Sequence, residues 1–547
     1  MSEGIRKRPL LAEGMALTAL FALLAASYFS LTWRTGDEAR YYVLTTALAE
    51  GRGYVRIHDP FDRPETLTPP LFPFLGSVAQ RLAPESDAAR VRAAKLVATV
   101  MYVLCVPAAL ILLRRRGLEC RADRLAVLFL GLAVVGLLTM SCWCMADTAY
   151  LVFSLAALAC FYPPDRSGAG GGFLGGLFCG LAYLSRAAGL SLAAAVGLHL
   201  GMRRRWHLLL WAGAGFMRAA AGWMVRCQVL TGAPDGYIGY VLDRARVEGG
   251  AGNPVAYLAA RWSSGLPSYL LGLLPRQLFY NLTWGHDLLH LTGLGFLSRP
   301  TEVVVGLTVL AGWFICLRHP GPMEFYWPLY WLMVAGLPIP PEQTYYVFPL
   351  MIPAAFYLVT ALYAAGRRVG LARSRMAMVV MLTGLYALGT ATAAGAIHLM
   401  KESGRRHLGP WDPARYASYG DPYMQAWARY VEACLWIGSN SPPGALIACR
   451  KPQHAYVFSG RKGWRYDIPR QVGSPTPWEA IGKMARRRRV YLVEDAFHLG
   501  GDTLSYAENY CTAMLPTLQR LSGSLTCEYA TRSPVTRVWR AGPLLAR

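Results

Sequence analysis

Three acidic residues stand where a membrane chain rarely places them. Asp37 and Glu38 follow directly on a long apolar run, in WRTGDEARYYVLTTALAEGRGY, and Asp147 falls between two further runs, in SCWCMADTAYLVF. An acid at a lipid interface beside apolar helices is costly unless it faces a cavity, so all three are functional candidates by default. If the elements around them place all three at one membrane surface, they form an acidic site just beneath it. The plainer readings stand beside this one. Asp37 and Glu38 also fit an ordinary interfacial pair, and Asp147 also fits a cap on a helix starting at Thr148.

The elements that must position these residues are apolar helices. The chain has 547 residues, 54% of them hydrophobic and only 16% charged, against about 25% charged in soluble domains. From about Met15 to Leu399 apolar runs recur between short arginine-rich breaks; after Lys401 the composition is that of a soluble protein. The first run carries no charge from Gly14 to Trp33 and no small-residue cleavage site follows, so it reads as a retained span and not a secretory signal. The net charge of +23 would fit a nucleic-acid partner, but its positions argue for topology. Arg6 to Arg8 (with Lys7), Arg114 to Arg116, Arg203 to Arg205, Arg318, and Arg367 with Arg368 sit in short breaks, as cytoplasmic loops do.

Fixing these clusters inside gives eleven spans, near 14–33, 93–113, 125–143, 147–162, 173–185, 187–202, 207–226, 301–317, 324–338, 345–365 and 376–399. The expected fold is an all-α polytopic membrane domain over 1–399, followed by an extracytoplasmic α/β domain over 400–547. The pair 173–185 and 187–202 is kept as two spans, because one long helix would put Arg203 to Arg205 outside. Residues 255–290 either hold a further helix pair or, as their prolines and charges suggest, form membrane-surface helices. Two long outer loops result, 34–92 and 227–300. The first carries eight arginines and eight acids, too charged and too long for a passive connection. In the C-terminal part AWARYVEACLWI reads as helix, and ALIAC, RVYLVED and VTRVWRA read as short strands. Cys434, Cys449, Cys511 and Cys527 would lie outside the cytoplasm and are candidates for one or two disulfides, with three full connectivities. Arg486 to Arg489 would either meet anionic head groups or end a solvated helix.

With these elements placed, the chain resembles the GT-C membrane glycosyltransferases, and within them the protein O-mannosyltransferases and the aminoarabinose transferases of lipid A. The resemblance rests on an acidic pair after the first span, an amphipathic loop ending in Pro69-Pro70, and an acid after the third span. GGLFCGLAYLSRAAGLSLAAA resembles the family's G-L-x-x-L-x-R-x-x-G helix pair, with Arg186 at the break. GWMVRCQVLTGAP resembles its P-W-x-x-R-N exit, with Arg226 in place, and QTYYVFPLMIP resembles its R-Y-x-x-P-x-x-P span, with Tyr346 and Pro349. The match runs in order over about residues 10–365. Three positions depart from it: Thr68 stands for a phosphate-contacting lysine, Tyr345 for an arginine and Cys227 for an asparagine.

The resemblance implies a sugar donor linked to polyprenyl phosphate, with an acceptor hydroxyl displacing the lipid phosphate in one inverting step. Such a step needs a base for the acceptor proton and positive charge for the phosphate. It makes Asp37 the expected base with Glu38 as neighbour or alternative, and Asp147 a further catalytic candidate. Arg186, Arg226 and Arg276 become candidates for the phosphate clamp, with Tyr346 and His58 completing the substrate-binding set. The resemblance makes no cofactor certain; a divalent metal held by Asp37 and Asp147 is possible, though no further carboxylate or histidine spacing requires one. His58, His286 and His290 read as interfacial residues and not metal ligands, and Arg226 also fits a side chain snorkelling to the interface. The implied partners are membrane lipids, the lipid-linked donor and a glycan, lipid or protein acceptor, with no nucleic acid. The implied location is a bacterial cytoplasmic membrane, with the N-terminus inside. A multi-span transporter or flippase, or a non-catalytic subunit of a glycan-assembly complex, are the competing readings.

Overall fold

The computed structural model describes residues 2–29, 37–162, 168–232, 236, 239, 254–279, 297–336, 344–368, 413, 422–465, 488–495, 525–533 and 535–541. The chain separates into two compact units. The first takes Met1–Ser30, Thr66–Phe72 and Lys95–Met400; the second takes Leu31–Glu65, Pro73–Ala94 and Lys401–Arg547. Most of the first long loop, expected inside a 1–399 domain, is therefore part of the unit that holds the C-terminal residues.

The first unit is built of apolar helices: α1 (Ser2–Tyr28), α4 (Asp87–Arg115), α5 (Arg121–Leu132), α6 (Val135–Met140), α7 (Asp147–Cys160), α8 (Ala169–Ser185), α9 (Gly189–Met202) and α10 (Trp206–Thr231). It continues through α11 (Pro254–Ser268), a π turn (Tyr269–Leu273), α12 (Leu274–Phe279), α13 (Ser298–Cys316), α14 (Pro322–Ala335), a 3₁₀ turn (Thr344–Leu350) and α15 (Met351–Arg368). Four of the described helices are long and apolar enough to cross a membrane: α4, α10, α13 and the stretch Tyr345–Arg368. Ala12–Tyr28, α7, α8 and α9 are shorter apolar helices. Helix α4 shows why lipid is the solvent. Its buried face is Ala98, Tyr102, Cys105, Ala109 and Leu112, yet its opposite face exposes Leu96, Val100, Leu104 and Ile111. A helix apolar all round needs an apolar environment on both faces. This is a multi-pass membrane protein.

The break expected at Arg186 is present, and 173–185 and 187–202 are separate helices. The third expected span, 125–143, is corrected: it is two helices, α5 and α6, parted at Ala133-Val134. The break frees the Leu132 carbonyl, which accepts the Tyr102 hydroxyl at 2.9 Å. Gly131 and Gly136 there lie against Ile352 and Phe348, too close for any side chain. Of residues 255–290, those as far as Phe279 are described. Helix runs without interruption from Pro254 to Phe279, its proline at 267 followed by the π turn, and it packs inside the helical unit. Trp262 Nε1 donates to Leu332 O on α14 at 2.8 Å, and Gly306 of α13 seats against Leu270. The expected span 376–399 lies outside the described residues.

Helices α8 and α10 meet through glycines, the usual means of close approach where lipid supplies no hydrophobic drive. A Cβ on Gly176 would lie 1.9 Å from the Ala212 carbonyl oxygen, and one on Gly215 2.0 Å from that of Phe173. Gly176→Ala is therefore expected to push the two helices apart at a cost of about 1–3 kcal/mol. Purified protein should show a lower melting midpoint; an unchanged midpoint would show that the pair tolerates the added methyl.

The second unit combines α2 (Glu38–Ala49) and α3 (Leu71–Leu82, from Pro73 onward) with α16 (Pro422–Asn440), α17 (Pro452–Ser459) and a five-stranded sheet. The strands are β1 (Leu446–Cys449), β2 (Lys462–Arg465), β3 (Val490–Glu494), β4 (Leu525–Ala530) and β5 (Arg537–Ala541), in the order β2-β1-β3-β5-β4. β2, β1 and β3 are parallel, while β5 and β4 pair antiparallel. The three strands and one helix read from sequence are all there, each within a few residues. The disulfide expectation is corrected: Cys434, Cys449 and Cys527 are not in disulfides, the first two are buried, and Cys511 lies outside the described residues. Cys434 faces the core from α16 and Cys449 ends the buried strand β1, where a thiol packs as a small apolar group.

Candidate functional site

In the first unit Asp147 opens α7 and is 2% exposed. Ala146 is the N-cap, and Asp147 stands in the first turn of the helix. Its carboxylate accepts the guanidinium of Arg186. Arg186 is set by the break it sits in: α8 ends at Ser185 and Arg186 adopts extended backbone at φ −146°, ψ 140°. Gly189 then starts α9 so close to Tyr183 that a Cβ would lie 2.2 Å from its nitrogen. The Arg186 guanidinium lies over two tyrosine rings, 5.2 Å from the centroid of Tyr346 and 5.6 Å from that of Tyr345. Both come from the 3₁₀ turn. Cation–π contact of this kind holds a guanidinium in place without neutralising it.

A cluster of tyrosines supports this pair from behind. Tyr330 on α14 donates to Tyr346 O at 2.7 Å. Tyr150, three residues after Asp147, stacks on Tyr330 with centroids 6.3 Å apart and shares a 2.8 Å hydrogen bond with Tyr326. Its hydroxyl also reaches Ala188 O, two residues beyond Arg186, at 3.3 Å. Of this cluster the sequence singles out Tyr346 alone; among Tyr150, Tyr326 and Tyr330 only Tyr150 carries a signal, its spacing from Asp147.

In the second unit Asp37 is the N-cap of α2 and makes no side-chain capping bond; its side chain is half-exposed, with Arg40 at 3.7 Å. Glu38 is fully buried. Burial alone would lower the Arg40 pKa, but Asp37 and Glu65 outweigh it and raise the pKa. Glu65, in turn, takes a two-pronged contact from Arg56 at 3.0 and 3.1 Å. His58 is buried beside these groups, and its backbone carbonyl accepts Gly463 N–H at 2.8 Å. Burial first, with Arg40 and Arg56 against Asp59 and Glu65, lowers the His58 pKa to about 4.

That depressed value fixes the sign of a pH effect. Between the unfolded value of about 6.5 and the folded value of about 4, the unfolded chain binds a proton that the folded chain refuses. Stability should therefore fall as pH drops through that window, by up to about 3 kcal/mol, and be unaffected by this group above it. His58→Gln should flatten the melting midpoint of the purified protein between pH 6.5 and 4.5. An unchanged slope would assign the acid sensitivity to other groups.

Of the expected phosphate-clamp and substrate-binding residues, Arg186 and Tyr346 come together. Arg276 pairs with Glu302 at 3.0 Å, which Arg299 also contacts at 3.0 Å. Arg226 lies over the Trp223 ring at 6.0 Å. Among the described residues no three of His, Cys, Asp and Glu cluster as metal ligands.

No protein-family model matches the sequence, and neither does any curated protein. Solved structures do. One is the archaeal oligosaccharyltransferase AglB from Archaeoglobus fulgidus, in complex with an inhibitory peptide and a dolichol-phosphate. It is 14% identical, with a TM-score of 0.53 over 88% of this chain and 69% of that one. Another is ArnT from Cupriavidus metallidurans bound to undecaprenyl phosphate, 13% identical with a TM-score of 0.55 over 97% of this chain and 98% of that one. The apo state of the same protein gives 13% and 0.57 over 98% and 99%.

Proposed function

We propose that this chain, which has the GT-C fold of these membrane glycosyltransferases, is an inverting glycosyltransferase. It would move a sugar from a polyprenyl-phosphate donor to an acceptor hydroxyl of a glycan, lipid or protein. The observation that supports this most is the buried Asp147–Arg186 pair on its tyrosine shelf, within a fold shared along nearly the whole chain with a protein bound to undecaprenyl phosphate. The proposed location is the outer face of a bacterial cytoplasmic membrane, with the N-terminus inside and the C-terminal domain outside.

In the proposed step the acceptor oxygen attacks the anomeric carbon as the bond from that carbon to the phosphate oxygen breaks. The acceptor proton passes to Asp37, and polyprenyl phosphate leaves as an anion, with inversion at carbon. Because phosphate is a good leaving group, the greater need is positive charge held still while its charge grows. Arg186 meets that need: a guanidinium carries five N–H donors in a fixed fork, enough to serve a carboxylate and a phosphate together. Asp147 and the faces of Tyr345 and Tyr346 fix its orientation, and Tyr330 fixes Tyr346.

The test uses the full chain in lipid nanodiscs, given undecaprenyl phosphate carrying radiolabelled hexoses or pentoses together with an envelope extract as acceptor. Label should move to the acceptor with release of undecaprenyl phosphate. Transport of the intact lipid-linked sugar without bond cleavage would overturn the reading in favour of a flippase.

A further inference from the structure

We infer that the C-terminal domain positions the helix that carries Asp37 and Glu38, through a charged node at Asp62. The inference rests on Asp37 as the proposed base. Asp37 is the N-cap of helix α2, whose last two turns contribute Val43 and Ala47 to a small apolar core with Ile57. Tyr456 and Val457 of α17 pack against that core. After α2 the chain folds back as a ribbon in which Arg56 N–H donates to Arg63 O at 2.9 Å and Glu65 N–H to Tyr54 O at 3.1 Å. At its tip Asp62 has φ +48°, a left-handed backbone that few side chains other than Asp and Asn accept.

The Asp62 carboxylate takes Lys462 Nζ at 2.5 Å and Arg52 Nη2 at 3.2 Å. Arg52 also lies 3.7 Å from Glu50, the C-cap of α2, and hydrogen-bonds the Tyr456 side chain. One residue beyond Lys462, Gly463 N–H donates to His58 O. Strand β2 and helix α17 thus hold the ribbon by its tip and the end of α2 by its cap, with Arg52 joining the two. Since a helix moves as a rod, fixing its C-terminal end sets where its N-terminus stands. The Lys462–Asp62 pair is partly exposed at 26% and 41%, and such pairs add little stability. Losing it should therefore change the placement of α2 far more than the folding of the unit.

The test compares Lys462→Met, Lys462→Glu and Lys462→Arg in the full-length protein. Sugar transfer is read with the donor that supports it in nanodiscs, alongside hydrogen exchange in residues 38–49 and the melting midpoint. Met and Glu should lower kcat about tenfold or more with donor KM unchanged, and should speed exchange in 38–49 with little shift in midpoint. Arg should restore both. Unchanged kcat with Lys462→Glu overturns the inference, as does unchanged exchange in 38–49. If Asp37→Asn proves fully active, the base assignment fails by itself; faster exchange in Lys462→Met would still show that the domain holds α2.

Discussion

Replacing Asp37 by Asn is expected to lower kcat for sugar transfer by about 10²–10⁴-fold, the usual contribution of a positioned general base, with donor KM little changed. The structure explains why this should be a catalytic loss and not a folding one. Asp37 stands at the N-cap of α2 yet makes no capping bond, and its side chain is half-exposed. An amide there leaves no buried charge and breaks no helix-end hydrogen bond, so the melting midpoint should stay close to that of the wild type. Glu38 is the informative contrast, being fully buried. Glu38→Gln should cost stability as well as rate, since a buried carboxylate is held by groups that an amide cannot fully satisfy. Single-turnover transfer measured beside the melting midpoint separates the two. An Asp37→Asn enzyme within threefold of wild type would remove Asp37 from the chemistry.

What the sequence made legible was local, and what it hid was not. Asp37, Glu38, Asp147 and Arg186 are visible as charges set against apolar runs, because lipid makes each such placement costly. The break at Arg186 and the strands in ALIAC and RVYLVED follow from patterns only a few residues long. The parting of α5 from α6 carries no such mark; it serves the close seating of Gly131 and Gly136 against Ile352 and Phe348, more than two hundred residues on. Likewise Lys462 meets Asp62 across 400 positions of sequence, so the grouping of the first loop with the C-terminal residues could not be read from either segment alone. Arg276 stands out in sequence by its charge alone, and its contact with Glu302, 26 residues on, is one that charge pattern does not name. The cysteines erred for a related reason: an oxidising compartment permits disulfides, but burial on α16 and β1 decides what Cys434 and Cys449 do.

Arg186 offers the second large effect, and its value lies in what three variants do together. Arg186→Met leaves Asp147, 2% exposed, as a buried carboxylate without its guanidinium; Asp147→Leu leaves the reverse. Breaking one side of a buried pair costs about 3–5 kcal/mol, whereas replacing both partners by apolar groups of similar size is often near neutral. The double variant should therefore melt well above either single one, a positive coupling of the kind neighbouring residues show. Phosphate recognition should divide the variants differently. With undecaprenyl phosphate as the probe, Asp147→Leu should bind at least as tightly as wild type, because the guanidinium has lost a competing anion. Arg186→Met and the double variant should both bind about 10²-fold more weakly or worse, as expected when a charge-assisted phosphate contact is removed. A structural counter-ion predicts the opposite pattern, with binding in the double variant recovering as its stability recovers. Such recovery would reduce Arg186 to a partner for Asp147 and take the phosphate clamp elsewhere on the chain.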